Sequence, residues 1–220
     1  MNKTITSKIT LSAMLIAMAY IATFCMSFIK VGGFLTFDLK DAILAIISLV
    51  LGPFYGLLSV IVVALIEFIT ISSTGVYGLV MNIISSGTFA IVVGYVYGYR
   101  RNIAGAICAS GLSVIYVTGI MIAANIFITP LYFEMPQAAV LDLLPTILLF
   151  NLSKSIINAS LMLMLYKPLT FVFKKTKLLK TDDEVKFKFN WKSIVVTILS
   201  VLLIGVAIYI LTTLGIDIGK

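Results

Sequence analysis

The sequence predicts an all-α integral membrane protein, a six-helix bundle followed by one additional C-terminal transmembrane helix. Three observations carry this reading. Of the 220 residues, 61% are hydrophobic and only 11% are charged, against about a quarter charged in soluble domains. The apolar residues fall into repeated long runs, most of them near the ~20 residues needed to cross the hydrocarbon at ~1.5 Å per residue. The charges lie between or just beyond those runs, so the net charge of +7 reflects membrane topology and not a nucleic-acid surface.

The first run, residues 9–28, carries no small-residue cleavage site followed by a soluble chain and is predicted to stay as a span. A shorter run covers 41–51. The turn "LGPFYG" separates it from 54–71, "ISSTGVYG" separates that from 76–99, and "GYRRN" separates that from 103–128. The sixth segment covers 138–173, and the seventh 194–214. The domain reading is therefore a membrane domain over 1–175, a charged linker over 176–193 and an extra transmembrane helix over 194–214. Small residues recur one turn apart at Ala13/Ala17, Gly52/Gly56 and Gly94/Gly98, a spacing that permits close helix approach. Cys25 and Cys108 have no pairing pattern and are expected to act as small buried hydrophobes.

Lys and Arg accumulate on the cytoplasmic side of membranes. With the N-terminus inside, Lys3, Lys8, Arg100, Arg101, Lys167 and the lysines from Lys174 to Lys192 are all cytoplasmic, while the outer loops hold only Lys30 and Lys40. The stretch "KKTKLLKTDDEVKFKFNWK" then reads as a solvated or headgroup-lying linker, with Phe189 and Trp191 as interfacial anchors.

Against this topology the polar residues inside the spans gather in the outer half. Glu67 lies near the outer end of the third span, Asn82 near that of the fourth and Asn125 near that of the fifth. Asn151, Lys154 and Asn158 follow at i, i+3, i+7 along one face of the sixth. An intramembrane Lys is expensive and is by default a functional-site candidate. It must pair or reach water, and Glu67 is the only carboxylate well inside the outer half of a span. One reading is helix packing, with Glu67 and Lys154 neutralising each other and the amides joining helices. The other is an outward-open pocket for a polar, drug-sized molecule, with Phe34, Phe37, Tyr77, Tyr132 and Phe133 placed to stack on a flat ring.

Absent motifs narrow the chemistry. There is no phosphate-binding G-x-x-x-x-G-K-[ST] loop. There is no His, which excludes bis-His haem ligation, H-E-x-x-H zinc sites and Ser-His dyads. No metal, cofactor or enzymatic activity is expected, and no inverted halves of comparable length argue for a secondary transporter.

The segments "FDLKDAILAIISLVLGPFYG", "STGVYGLVMNIISSG", "ITPLY" and "LPTILLFNLSKSIIN" together resemble the substrate-binding S components of energy-coupling factor (ECF) transporters, within them the riboflavin subgroup, over about residues 9–173. The resemblance implies a six-helix S-component bundle in the cell membrane that captures a vitamin near the outer face, under a lid-like loop here reading "IKVGGFLTFD". It implies partnership with a transmembrane coupling subunit and two ATPase subunits. Ala13 and Ala17 match the family's coupling-subunit contact. Phe150, Asn151 and Lys154 match the Phe-Asn-x-x-Lys that reaches the flavin, and Asn82 matches the Asn of the fourth helix. The chain departs from the subgroup in the third helix, where "VVALIEF" with Glu67 replaces a Lys-Asn pair. The seventh span lies outside the family core. The resemblance leaves open an S component for pantothenate, folate or a thiamine precursor, and the residues alone leave open a stand-alone secondary transporter or a structural subunit.

Overall fold

The computed structural model describes residues 3–27, 30–31, 35–36, 38–175 and 191–213. The helices among them are α1 (Lys3–Met26), α2 (Lys40–Leu51), α3 (Pro53–Thr70), α4 (Gly75–Tyr99), α5 (Ile103–Phe133), α6 (Gln137–Lys175) and α7 (Trp191–Thr213). Two short strands, β1 (Lys30–Val31) and β2 (Leu35–Thr36), pair antiparallel between α1 and α2. The linker 176–190, Phe189 within it, and Phe34 and Phe37 of the lid-like loop lie outside the described residues.

Six of the helices are long and apolar enough to cross a membrane, α7 among them. The exception is α2, whose twelve residues rise only ~18 Å, too short to cross the hydrocarbon alone; it carries the chain from Lys40, beside Glu67 of α3, to the turn at Pro53 beneath Gly94 of α4, enclosed by protein all the way. It touches α1, α3, α4 and α6, and every residue from Lys40 to Leu49 is buried. A helix that is apolar all round is stable only when it is surrounded. With α2 at the centre, Ile46 and Ile47 join Leu11 and Leu15 of α1, Val60 and Val63 of α3 and Phe89 of α4 in one core.

Close approach shapes the turn from α2 to α3. Gly52 there has φ 101°, a left-handed conformation in which other residues are strained, and Pro53 follows at the first position of α3, where its missing N–H costs nothing. Gly94 of α4 passes over this turn so closely that a Cβ would fall 2.8 Å from the Pro53 Cα. This small residue therefore serves packing within the chain. At the same end of the bundle the hydroxyls of Tyr97 and Tyr166 share a short hydrogen bond that ties α4 to α6.

The exterior is apolar and the interior holds the polar groups. Phe54, Ile69, Ile115, Phe127, Leu202 and Tyr209 are all well exposed, as side chains that meet lipid are, while Asn, Ser, Lys and Asp face inward. Cys25 and Cys108 are free and exposed, so they sit on the outer surface and not in the core as the composition suggested. Ala13 and Ala17 are exposed along one stripe of α1, while Leu11, Leu15 and Ala19 on the opposite side are buried. On α7, Ala207 and Leu211 pack against Phe150 and Ile157 of α6, with Leu39 alongside.

Candidate ligand site

A cavity of about 120 Å³ opens between α4, α5 and α6 at the end of the bundle where α3 runs into α4. Each helix contributes a stripe. From α4 and the turn before it come Thr74, Tyr77, Met81, Asn82 and Ser85. From α5 come Met121, Asn125, Ile128, Thr129, Tyr132 and Phe133, and from α6 Phe150, Asn151 and Lys154. Five of the seven ligand candidates read from the sequence, Asn82, Asn125, Phe150, Asn151 and Lys154, meet on its walls. Drug-sized ligand sites measure roughly 300–1,000 Å³, so the enclosed part is smaller than such a site and continues into an open mouth.

Aromatic rings line that mouth. Tyr77 and Tyr132 meet edge to face at 5.7 Å between centroids, and Tyr132 and Phe133 at 4.6 Å. The extension of α5 beyond Ile128, where the apolar run was expected to stop, brings the last two to the cavity. Glu134 then ends the helix with a left-handed residue, φ 52°, whose N–H donates to the Pro130 carbonyl. Deeper in, the amides are held by their own helices. Asn125 donates to the Met121 carbonyl at 2.7 Å and accepts from Thr129 at 2.9 Å, and Asn151 donates to the Ile147 carbonyl at 2.8 Å. Asn82 donates to Glu67 Oε2 at 3.1 Å.

Charge pairing differs from the expectation. Lys154 is paired not with Glu67 but with Asp38, at 2.9 Å. Glu67 is held by Lys40, at 2.5 Å, and Lys40 also lies 3.7 Å from Asp38. Lys40 is thus no loop cation: it is 1% exposed, at the start of the central helix. Glu67 stands behind Asn82 and does not line the cavity. The Lys40 ammonium takes its carboxylate because α2 enters between α3 and α6.

Asn158 also lies off the cavity wall. Its Oδ1 accepts the Ala42 N–H at 3.0 Å, and its Nδ2 donates to the carbonyls of Asp38 and Lys154 at 3.0 and 3.1 Å. Leu39, at the N-cap of α2, makes no side-chain capping bond, so α6 supplies the cap from outside and satisfies an N–H that the helix start leaves open. The three polar residues of α6 share a face, but α2 meets that face at the level of Asn158 while the cavity meets it at Asn151 and Lys154. Asp38, Lys40 and Asp41 were the site residues the sequence reading missed. Their signal was the cluster "DLKD" directly before an apolar run too short to span.

Among the described residues no group of three or more His, Cys, Asp or Glu is placed to hold a metal ion. The groups on the cavity wall suit recognition: amide donors and acceptors, the paired Lys154 ammonium and several aromatic rings around a partly enclosed space. A family model described as "ECF transporter, substrate-specific component" matches residues 7–166, which takes in the cavity and α1 but not α7. Among curated proteins nothing matches the chain.

Proposed function

Because the chain belongs to the substrate-specific component family of ECF transporters, a family of membrane substrate-binding subunits that work with an energy-coupling module and not of enzymes, we propose that it captures riboflavin. In this reading the cavity faces the cell exterior, the N-terminus faces the cytoplasm, and release inward requires the transmembrane coupling subunit and two ATPase subunits. Residues 1–175 form the capture domain, 176–193 a cytoplasmic linker and 194–214 an added membrane anchor.

The observation that carries the proposal is the convergence of Asn82, Asn125, Asn151 and Lys154 with Tyr77, Tyr132, Phe133 and Phe150 on one cavity. A flavin presents a flat ring system with carbonyl and ring-nitrogen acceptors and a chain of hydroxyls. Aromatic faces suit the ring, and the amides and the ammonium suit the polar edges. A proton-coupled secondary transporter has less support, because Glu67 is engaged by both Lys40 and Asn82 and does not line the cavity.

Purified in detergent without added ligand, the protein should be yellow with flavin absorbance, or should take up riboflavin on titration. Replacing Asn151 and Lys154 together by Ala should weaken that binding at least tenfold, equivalent to ~1.4 kcal/mol. A colourless protein that binds pantothenate, folate or a thiamine precursor in place of riboflavin would move the assignment to another vitamin.

A further inference from the structure

We propose that the cavity selects an uncharged or cationic ligand and rejects organic anions, because the Lys154 ammonium on its wall is already neutralised by a buried cluster holding, among the described residues, more carboxylates than cations. The inference rests on reading this cavity as the ligand site, and it deepens that reading by fixing the ligand's charge class.

Lys154 on the wall and four ionisable side chains behind it, Asp38, Lys40, Asp41 and Glu67, gather in one cluster, none more than 7% exposed. Three are acids and two are bases. Each base is committed, Lys154 to Asp38 at 2.9 Å and Lys40 to Glu67 at 2.5 Å. Among the described residues Asp41 has no ion pair, and its Oδ1, Asp38 Oδ1 and Glu67 Oε1 are buried with no hydrogen-bond partner among them. With every group ionised the cluster holds one negative charge in surplus, and a proton on one carboxyl brings it to neutrality.

Among the described residues Lys154 is the only charged one lining the cavity. An incoming carboxylate or phosphate that accepted from Lys154 would bring a further negative charge beside an ammonium already paired with Asp38, and a buried charge without a cation of its own is costly inside a protein. A carbonyl or hydroxyl brings no such charge. An ammonium has three donors, so a neutral ligand accepts from one while Asp38 keeps another. The same count separates the candidate vitamins. Riboflavin is uncharged and thiamine is a cation, whereas pantothenate and folate carry carboxylates.

The test is calorimetric titration of the purified full chain in micelles with riboflavin, flavin mononucleotide, thiamine, pyridoxine and pantothenate. Flavin mononucleotide should bind at least tenfold more weakly than riboflavin, and pantothenate should not bind at concentrations that saturate with riboflavin. Thiamine or pyridoxine binding in place of riboflavin would remove the flavin reading and leave the charge rule standing. Tightest binding of pantothenate, or flavin mononucleotide equal to riboflavin, would overturn the rule. Asp38→Asn, which frees the Lys154 ammonium, should shrink the riboflavin preference over flavin mononucleotide at least threefold. Should that variant not fold, Glu67→Gln removes one negative charge while keeping a partner for Asn82, and is expected to act in the same direction. An unchanged preference in a folded variant of either kind contradicts the proposal.

Discussion

Replacing Lys40 by Met should destabilise the protein more than replacing Lys154 by Met, although only Lys154 touches the cavity. Lys40 is 1% exposed and serves two carboxylates, Glu67 at 2.5 Å and Asp38 at 3.7 Å. Met preserves the apolar stem of the side chain but strands Glu67 without its cation, leaving it the Asn82 amide at 3.1 Å. Removing one partner of a buried pair costs about 3–5 kcal/mol. Lys154→Met leaves Asp38 with Lys40 still 3.7 Å away, and the vacated ammonium faces the cavity, so its cost falls nearer the ~1–3 kcal/mol of an unsatisfied buried group. Thermal unfolding in micelles, followed by circular dichroism, should show Lys40→Met lowering Tm by on the order of 10 °C and Lys154→Met by less. The double variant Lys40→Met/Glu67→Gln removes the stranded charge and should recover most of the loss. If Lys40→Met proved no worse than Lys154→Met, or the double variant no better than Lys40→Met alone, the pairing scheme would be wrong.

Orientation can be read by cysteine labelling after Cys25 and Cys108 are changed to Ser: a membrane-impermeant maleimide should reach Ser73→Cys in intact cells and miss Thr181→Cys. Changing Ala13 and Ala17 to Trp bulks the exposed stripe of α1 without entering the core, so co-purification with the coupling subunit should be lost while ligand affinity changes less than twofold or so. Expressed without a coupling module, the wild-type chain should bind riboflavin but not accumulate it, and accumulation that collapses with the proton gradient would favour the secondary-transporter reading. Ala207→Trp should wedge α7 from α6 where Ala207, 1% exposed, shares a buried cluster with Phe150 and Ile157; ligand affinity should fall several-fold, although residue 207 lies outside both the cavity and the matched family segment.

The helices were legible because a bilayer imposes a length. The six long ones have bounds within a few residues of the apolar runs, apart from added turns such as the start of α1 and the end of α5. Depth was legible for the same reason. Asn82, Asn125, Asn151 and Lys154 lie at comparable heights in their runs, and they do share a cavity. Direction around each helix axis was harder to read, because the apolar runs are hydrophobic on every side and carry little periodicity that separates a lipid face from a protein face. The sequence therefore places Glu67 and Lys154 at one depth but does not reveal that α2 stands between them with a partner for each. Asp38 and Lys154 are 116 positions apart, and no local pattern joins them.

One local signal does point to the buried cluster, and it comes from length combined with charge. The run 41–51 rises ~17 Å at 1.5 Å per residue, about half of a ~30 Å hydrocarbon layer. Its two ends cannot both reach an interface, so at least one of them stops inside. One end is Gly52 and Pro53, which can turn without a polar side chain, and the other is Asp38, Lys40 and Asp41. Counting Lys40 as a loop charge satisfies the topology rule but overlooks this geometry. A charge adjoining a full-length span anchors it at the surface, whereas a charge adjoining a half-length helix is liable to be carried into the protein. There it must find partners among the residues of neighbouring spans, and Glu67 for Lys40 and Lys154 for Asp38 are the ones that this fold provides.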